Sequence, residues 1–215
     1  FAEERLEAPI VDKEACLFTA PFTFNVMIPY GAKLHYTTDG TTPTLTNGHT
    51  SKDGVFHVDY TTTYRFRLFE EGKLPSQVIT RSFIYRDRDY MLPIISVVTD
   101  PINLYDDSLG VYVKGVNGRS GNGQSTPCNW NMDWDRPVNF EYITPEEGMV
   151  VNQEVDFAMC GGWSRASTPY SFKIHAVKVF EGENSLDYPF FSAKPYLKHK
   201  MLQIRNGGND NSCRV

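Results

Sequence analysis

Short segments in which apolar and polar residues alternate run through residues 1–87. Thr62–Phe69 is the clearest case, because Tyr64, Phe66 and Leu68 alternate with arginines and would all lie on one face of a strand. Glycine, proline and aspartate separate these segments, and no helical period is visible. The pattern is typical of an antiparallel, immunoglobulin-like β-sandwich.

The pattern changes after the charged segment Arg86–Asp89, which we predict to be the junction between two parts of the chain. Leu92–Thr99 is almost continuously apolar, as in a strand that is buried on both faces. Further strands are predicted at residues 110–113, 136–143, 150–159, 170–179 and 200–205. Residues 114–129 are rich in Gly, Asn and Ser, which predicts a mobile loop. We therefore expect a mainly β chain, with an immunoglobulin-like β-sandwich over residues 1–87 and a β-rich, irregular α+β partial domain over residues 90–215.

Charge and hydropathy exclude two classes of function. The 215 residues carry a net charge of −5, so the chain lacks the basic surface that binding to nucleic acid or to an anionic membrane requires. No apolar stretch reaches the roughly 18 residues that a membrane-spanning helix needs. We expect no nucleic-acid partner and no membrane span.

The four cysteines are Cys16, Cys128, Cys160 and Cys213. Their spacing is not that of zinc ligands, so no metal site is predicted. Free buried cysteine is the commoner state in a chain of this size, and a pair such as Cys128 with Cys160 stays open. The chain starts at Phe1 without an initiator methionine or a signal peptide, which indicates a processed chain or a fragment with natural termini elsewhere.

Three segments in the first part carry a family resemblance. They are Gly31–Thr44 (GAKLHYTTDGTTPT), Thr61–Arg67 (TTTYRFR) and Glu71–Val78 (EGKLPSQV). Together they resemble the chitobiase/β-hexosaminidase C-terminal-type module, an immunoglobulin-like sandwich attached to secreted bacterial enzymes and surface proteins. The resemblance implies an accessory module, and it implies a secreted or cell-surface location for a mature form that lacks its signal.

Residues 90–215 contain a second series of family motifs. In chain order they are Leu92–Pro101, Leu109–Val113, Arg136–Tyr142, Cys160–Arg165, Ser171–Ile174, Leu186–Phe191 and Arg205–Asp210. Their combination and order resemble the N-terminal part of the spore coat protein H (CotH) kinase-like family. The resemblance implies an atypical kinase fold. It also implies that a longer chain would phosphorylate proteins, with ATP and Mg²⁺ or Mn²⁺ as cofactors.

A phosphoryl-transfer site needs cations that hold the phosphates. Arg165 and Lys173 are the candidate nucleotide-binding residues, and the pair Gly161-Gly162 would let the backbone approach a phosphate closely. The family usually has a lysine directly before its Ser-Phe or Ser-Leu motif, and this chain has Tyr170 there. The alternative role for Lys173 is that of a solvated strand lysine, on the face opposite to its apolar neighbours.

The same site also needs carboxylates. In the family, the metal-binding and catalytic carboxylates follow the segment that resembles Arg205–Asp210. Asp210 is the one acid near that segment here, which is too few for metal-assisted or acid–base chemistry. We therefore assign no catalytic residue and no cofactor to the chain as it stands, and we expect its Asn/Gly-rich end, residues 206–215, to be poorly ordered.

Trp130 and Trp134 indicate another possible function. They lie four residues apart in the segment CNWNMDWD, where they alternate with Asn129, Asn131, Asp133 and Asp135. Aromatic faces flanked by amide and carboxylate groups suit the ring and the hydroxyl edge of a sugar. The alternative is that both indole rings cover the core beneath the loop.

The sequence favours a non-catalytic structural or binding portion of a secreted or cell-surface bacterial protein, CotH-like in its second part. Its expected partner is a protein or a cell-envelope glycan. The alternatives are an ATP-dependent protein kinase when a longer chain is present, and a carbohydrate-binding surface protein that uses Trp130 and Trp134.

Overall fold

The structure is a computed structural model that describes residues 4–178 and 183–207. The strands are β1 (Cys16–Phe18), β2 (Phe22–Asn25), β3 (Lys33–Thr37), β4 (His49–Ser51), β5 (Val55–Val58), β6 (Thr62–Phe69), β7 (Ile79–Tyr85), β8 (Ile94–Val98), β9 (Arg119–Gly121), β10 (Gln124–Cys128), β11 (Arg136–Thr144), β12 (Gly148–Met159), β13 (Phe172–His175), β14 (Leu186–Asp187), β15 (Lys198–His199) and β16 (Met201–Ile204). The helical elements described are the short helix α1 (Ile102–Tyr105) and the 3₁₀ turns Asn129–Asn131 and Trp163–Ala166. The predicted mainly β class is confirmed, and Asp210 and Cys213 lie outside the described residues.

The chain divides into two compact units. One comprises residues 1–100 and 139–152, and the other comprises residues 101–138 and 153–215. The division falls within β11 and β12, so each of these strands contributes to both units.

Phenylalanine rings fill the centre of the first unit. Its five-stranded sheet has the order β1-β7-β6-β3-β4, and β2 and β5 form a second sheet. The ring of Phe24 on β2 lies 4.8 Å from that of Phe83 on β7 and 6.0 Å from that of Phe66 on β6, measured between centroids. The prediction from the alternating pattern of β6 is confirmed, because the apolar residues of this strand face the core. Strand β1 pairs in parallel with β7, Cys16 lying opposite Phe83.

A buried carboxylate lies on β11 within the first unit. Glu141 is fully buried, and its Oε1 accepts hydrogen bonds from the backbone N–H of Ser82 and from Nδ2 of Asn152, both at 3.1 Å. The Ser82 hydroxyl in turn lies 2.9 Å from the Ser96 hydroxyl on β8. Burial raises the pKa of Glu141, and the hydrogen bonds from Ser82 and Ser96 oppose that rise.

The raised pKa of Glu141 makes stability depend on pH. A carboxyl group whose folded-state pKa lies above its usual 4.5 stabilises the fold fully below that value, and this contribution is lost as the pH rises through the folded-state pKa. We expect Glu141→Gln to remove this loss and to raise the free energy of unfolding near neutral pH by about 1 kcal/mol, since the serine hydroxyls can accept from the new N–H groups. Urea denaturation from about pH 4 to pH 8 measures it. An unchanged pH slope in the variant would show that Glu141 does not titrate as described.

Strands β12, β13 and β16 form an antiparallel sheet in the second unit. One face is apolar, with the stacked rings of Phe157 and Phe172 at 4.8 Å and the buried Ile174. Lys173 projects to the other face, as expected from strand alternation, and lies opposite Gln203 of β16.

The strand predicted at residues 110–113 is wrong, because residues 111–113 form bends and Gly110 lies in no strand. Their backbone instead returns to the short helix α1. The Val111 N–H donates to Asn103 O at 3.0 Å, and the Tyr112 N–H donates to Leu104 O at 2.9 Å. Hydrogen bonds to the helical turn α1 thus take the place of the hydrogen bonds to a neighbouring strand that a β-strand would need.

Candidate functional site

The candidate site starts from a tight hairpin in the second unit. Strands β9 and β10 are joined by Asn122 and Gly123, whose φ angles are 52° and 83°. Positive φ at both central residues is the signature of a type I′ turn, for which Asn-Gly is the preferred pair. The predicted mobile loop over residues 114–129 therefore contains an ordered hairpin.

Two buried asparagines hold this hairpin against the preceding segment. Asn129 is fully buried, and its Nδ2 donates to Asp107 O at 2.9 Å and to Gly110 O at 3.0 Å, while its Oδ1 accepts from the Asn117 N–H at 3.1 Å. Asn131 is equally buried and donates to Arg119 O at 3.2 Å. These buried amides hold the main chain and expose no polar group beside Trp130, in contrast to the exposed polar neighbours that a sugar-binding segment would present.

Trp130 lies between these two asparagines and turns its ring to an aromatic stack. Its centroid is 5.6 Å from that of Tyr170, which is 4.5 Å from that of Tyr112. The Tyr112 hydroxyl accepts a hydrogen bond from the Tyr170 N–H at 3.3 Å. Burial raises the pKa of Tyr170 above the ordinary value of a phenol. Tyr170 thus supports the ring of Trp130.

A groove opens beside Trp130, with a volume of about 460 Å³. Trp163 contributes a second indole, and Gln124 and Thr126 of β10 are among the other lining residues. The Trp130 indole N–H donates to Gln124 Oε1 at 2.8 Å, which fixes the orientation of this ring. The volume is within the range of pockets that bind small molecules.

The backbone of the hairpin turn lies directly against Trp163. A Cβ atom at Gly123 would come within 2.6 Å of Trp163 Nε1, so only glycine fits there without displacing the indole. Trp163 is nevertheless 71% exposed. A large apolar ring that is mostly exposed, yet held on one side, is typical of a binding surface.

Arg165, one of the two predicted cations, is hydrogen-bonded to the main chain of the second unit. Arg165 donates from Nε to Gly161 O at 2.6 Å and from Nη1 to Trp130 O at 3.1 Å. Burial raises the pKa of the Cys160 thiol, and the charges of Arg165, Lys173 and Arg205 partly oppose that effect. Arg165 is therefore bound to backbone carbonyls and also supports the main chain at Trp130.

Trp134 lies apart from the groove lining that contains Trp130. Its ring is covered by the guanidinium of Arg136, 4.9 Å from the centroid, in a cation–π contact. The structure thus places Trp130 with Trp163, and it places Trp134 with Arg136. Trp163 was not predicted as a site residue, although the two glycines before it indicate an exposed position in a tight turn.

The cysteines of this region are free thiols in the structure. Cys128 and Cys160 are both buried and unpaired, and Cys16 in the first unit is also free. Burial raises the pKa of the Cys128 thiol, and the charge of Lys114 opposes that rise. The pairing of Cys128 with Cys160, which the sequence left open, does not form here.

Comparison with known proteins gives one family match. Residues 28–83 match the family model described as Fn3 associated. The match covers about a quarter of the chain, and it falls on the segment that holds the motifs Gly31–Thr44 and Thr61–Arg67. It describes an Fn3-associated domain there, in keeping with the β-sandwich of the first unit.

Among solved structures, the chain is similar to the extracellular domains 3–5 of Drosophila OTK. The identity is 11% and the TM-score is 0.23, over 94% of this chain and 85% of that one. A TM-score this low carries no argument about fold or function. No curated protein sequence matches the chain. No helix among the described residues is both long enough and apolar enough to cross a membrane.

Proposed function

We propose that this chain is a non-catalytic binding portion of a secreted or cell-surface protein, and that it binds a carbohydrate in the groove between Trp130 and Trp163. The observation that carries the proposal is the pair of indoles in one open groove. Sugar rings present apolar C–H faces and a hydroxyl edge, and indoles beside amide and hydroxyl groups complement both. Gln124 and Thr126 supply those polar groups.

The contacts that hold the two indole rings in place favour a binding groove over core side chains that are merely exposed. The indole N–H of Trp130 donates a hydrogen bond to Gln124, and its ring packs against Tyr170. The main-chain carbonyl of Trp130 accepts a hydrogen bond from Arg165. Trp163 is held against the backbone of Gly123. Because the rings are already positioned, a ligand would lose little binding free energy to ordering them.

The location outside the cell is part of the proposal. The Fn3-associated match to residues 28–83 and the resemblance of Gly31–Thr44 to the chitobiase-type module both favour an accessory role in such a protein. The resemblance of residues 90–215 to the spore coat protein H family remains a prediction. It supports the alternative, protein phosphorylation by a longer chain.

A glycan array tests the proposed function. We expect the wild-type chain to bind a subset of glycans, and the variant Trp130→Ala to lose that binding. Trp134→Ala is the matched control, since its ring packs against Arg136 and should leave binding intact. The proposal fails if no glycan binds, or if Trp130→Ala binds as the wild type does.

ATP should not stabilise this chain. Arg165, one of the two candidate nucleotide ligands, already donates to the carbonyls of Gly161 and Trp130, so its guanidinium is engaged. We expect the melting temperature with ATP and Mg²⁺ to equal that with Mg²⁺ alone, because a ligand raises it only when it binds the folded state. A rise of several degrees with ATP would favour the nucleotide hypothesis over ours.

A further inference from the structure

Among the described residues that line the groove between Trp130 and Trp163, Lys114 is the one charged residue. Its side chain is exposed and forms no ion pair with any residue in 4–178 and 183–207. The remaining lining includes Gln124, Ser125 and Thr126, which are neutral. The groove therefore presents one uncompensated positive charge beside its two indoles.

The backbone of Lys114 is fixed even though its side chain is free. Its carbonyl accepts a hydrogen bond from the N–H of Asn129 at 2.7 Å, and Asn129 is itself fully buried. The charge of Lys114 acts on the thiol of Cys128, another lining residue, and lowers the pKa of that thiol against the effect of burial. Lys114 and Cys128 both line the groove.

Nearby charges do not cancel this one. Asp133, one of the two acids of the tryptophan segment, pairs with Arg119 at 2.6 Å. Arg165 lies on the backbone side of Trp130 and adds a second positive charge near the site. The charge on the lining of the groove is therefore positive, although the chain as a whole carries a net charge of −5.

We propose that the carbohydrate bound in this groove carries a carboxylate, as uronic acids do, and that Lys114 Nζ pairs with it. This rests on the proposed carbohydrate-binding function and specifies its ligand class. An ammonium ion next to aromatic rings discriminates an acidic sugar from its neutral counterpart, because the ring faces contribute equally to both and the ion pair forms with only one.

The test compares short uronic-acid oligosaccharides of polygalacturonate, alginate and hyaluronan with the same oligosaccharides after reduction of their carboxyl groups to alcohols. We expect the wild-type chain to bind at least one acid about fivefold more tightly than its reduced counterpart, and high salt to diminish that preference. Lys114→Gln should bind both forms with the affinity of the reduced one. Lys114→Arg should retain the preference.

The outcomes separate this proposal from the proposed function. Equal affinity for acid and reduced forms, or binding of neutral array glycans alone, overturns the carboxylate proposal and leaves carbohydrate binding in place. A preference that persists unchanged in Lys114→Gln also overturns it. If the chain binds no glycan of any kind, both proposals fail. The Lys114 side chain makes no hydrogen bond within the described residues, so its replacement should leave the melting temperature unchanged.

Discussion

Trp163→Ala should weaken carbohydrate binding by at least about tenfold, the loss typical of removing an aromatic anchor from a binding site. The ring is 71% exposed, so its loss should change the free energy of unfolding by less than about 1 kcal/mol. Affinity and stability are then separable in one variant. Isothermal titration with a glycan from the array measures the first, and urea denaturation measures the second.

Trp134→Ala is the control for this variant. It removes an indole of the same size whose contact is with Arg136 and not with the groove. Its affinity for the glycan should equal that of the wild type. If Trp163→Ala binds normally while Trp134→Ala does not, the site lies elsewhere and the groove proposed here is not the binding surface.

Asn129→Ala should be among the most destabilising single changes in the second unit. The side chain is fully buried and bonds to Asp107 O, Gly110 O and the Asn117 N–H. Removing it takes away three hydrogen bonds and leaves the buried Gly110 O without this partner, whereas Asp107 O keeps its bond from the Val116 N–H. An unsatisfied buried group costs about 1–3 kcal/mol, and the space left by the buried side chain adds to that loss. We therefore expect a loss of about 3 kcal/mol or more in the free energy of unfolding, measured by urea denaturation, with a loss of glycan binding.

Asn117→Ala gives a matched comparison, since it removes the same side chain from an exposed position. Its amide makes one long hydrogen bond, at 3.4 Å to Ser108 O. We expect a change of less than about 0.5 kcal/mol. Similar losses for the two variants would contradict the role given to Asn129, because the difference between them rests on burial.

Alternation of apolar and polar residues was enough to predict the sandwich of the first unit. Strand β6 shows why: the residues that alternate in its sequence are those that face the core. Strand β1 was not predicted, because it has only three residues and pairs with β7, which lies far away in the chain. A segment that short carries no period of its own.

The candidate site was less predictable, because long-range contacts assemble it. The Gly/Asn/Ser-rich composition of residues 114–129 favoured a loop, whereas the Asn122-Gly123 pair builds a hairpin. The pairing of Trp130 with Trp163 depends on how the chain returns after β12, and no local pattern encodes that return. Burial of Asn129 likewise follows from the three backbone groups it meets, which lie well before it in the sequence.

The central claim is that a sugar lies against Trp130 and Trp163, and the indole N–H signals in an NMR spectrum test it most directly. The chain has three tryptophans, so three such signals are expected, and single Trp→Phe variants assign them. On saturation with a glycan from the array, we predict that the signals of Trp130 and Trp163 shift with one common affinity while that of Trp134 stays in place. A spectrum in which neither groove signal moves, or in which Trp134 alone responds, would contradict the account.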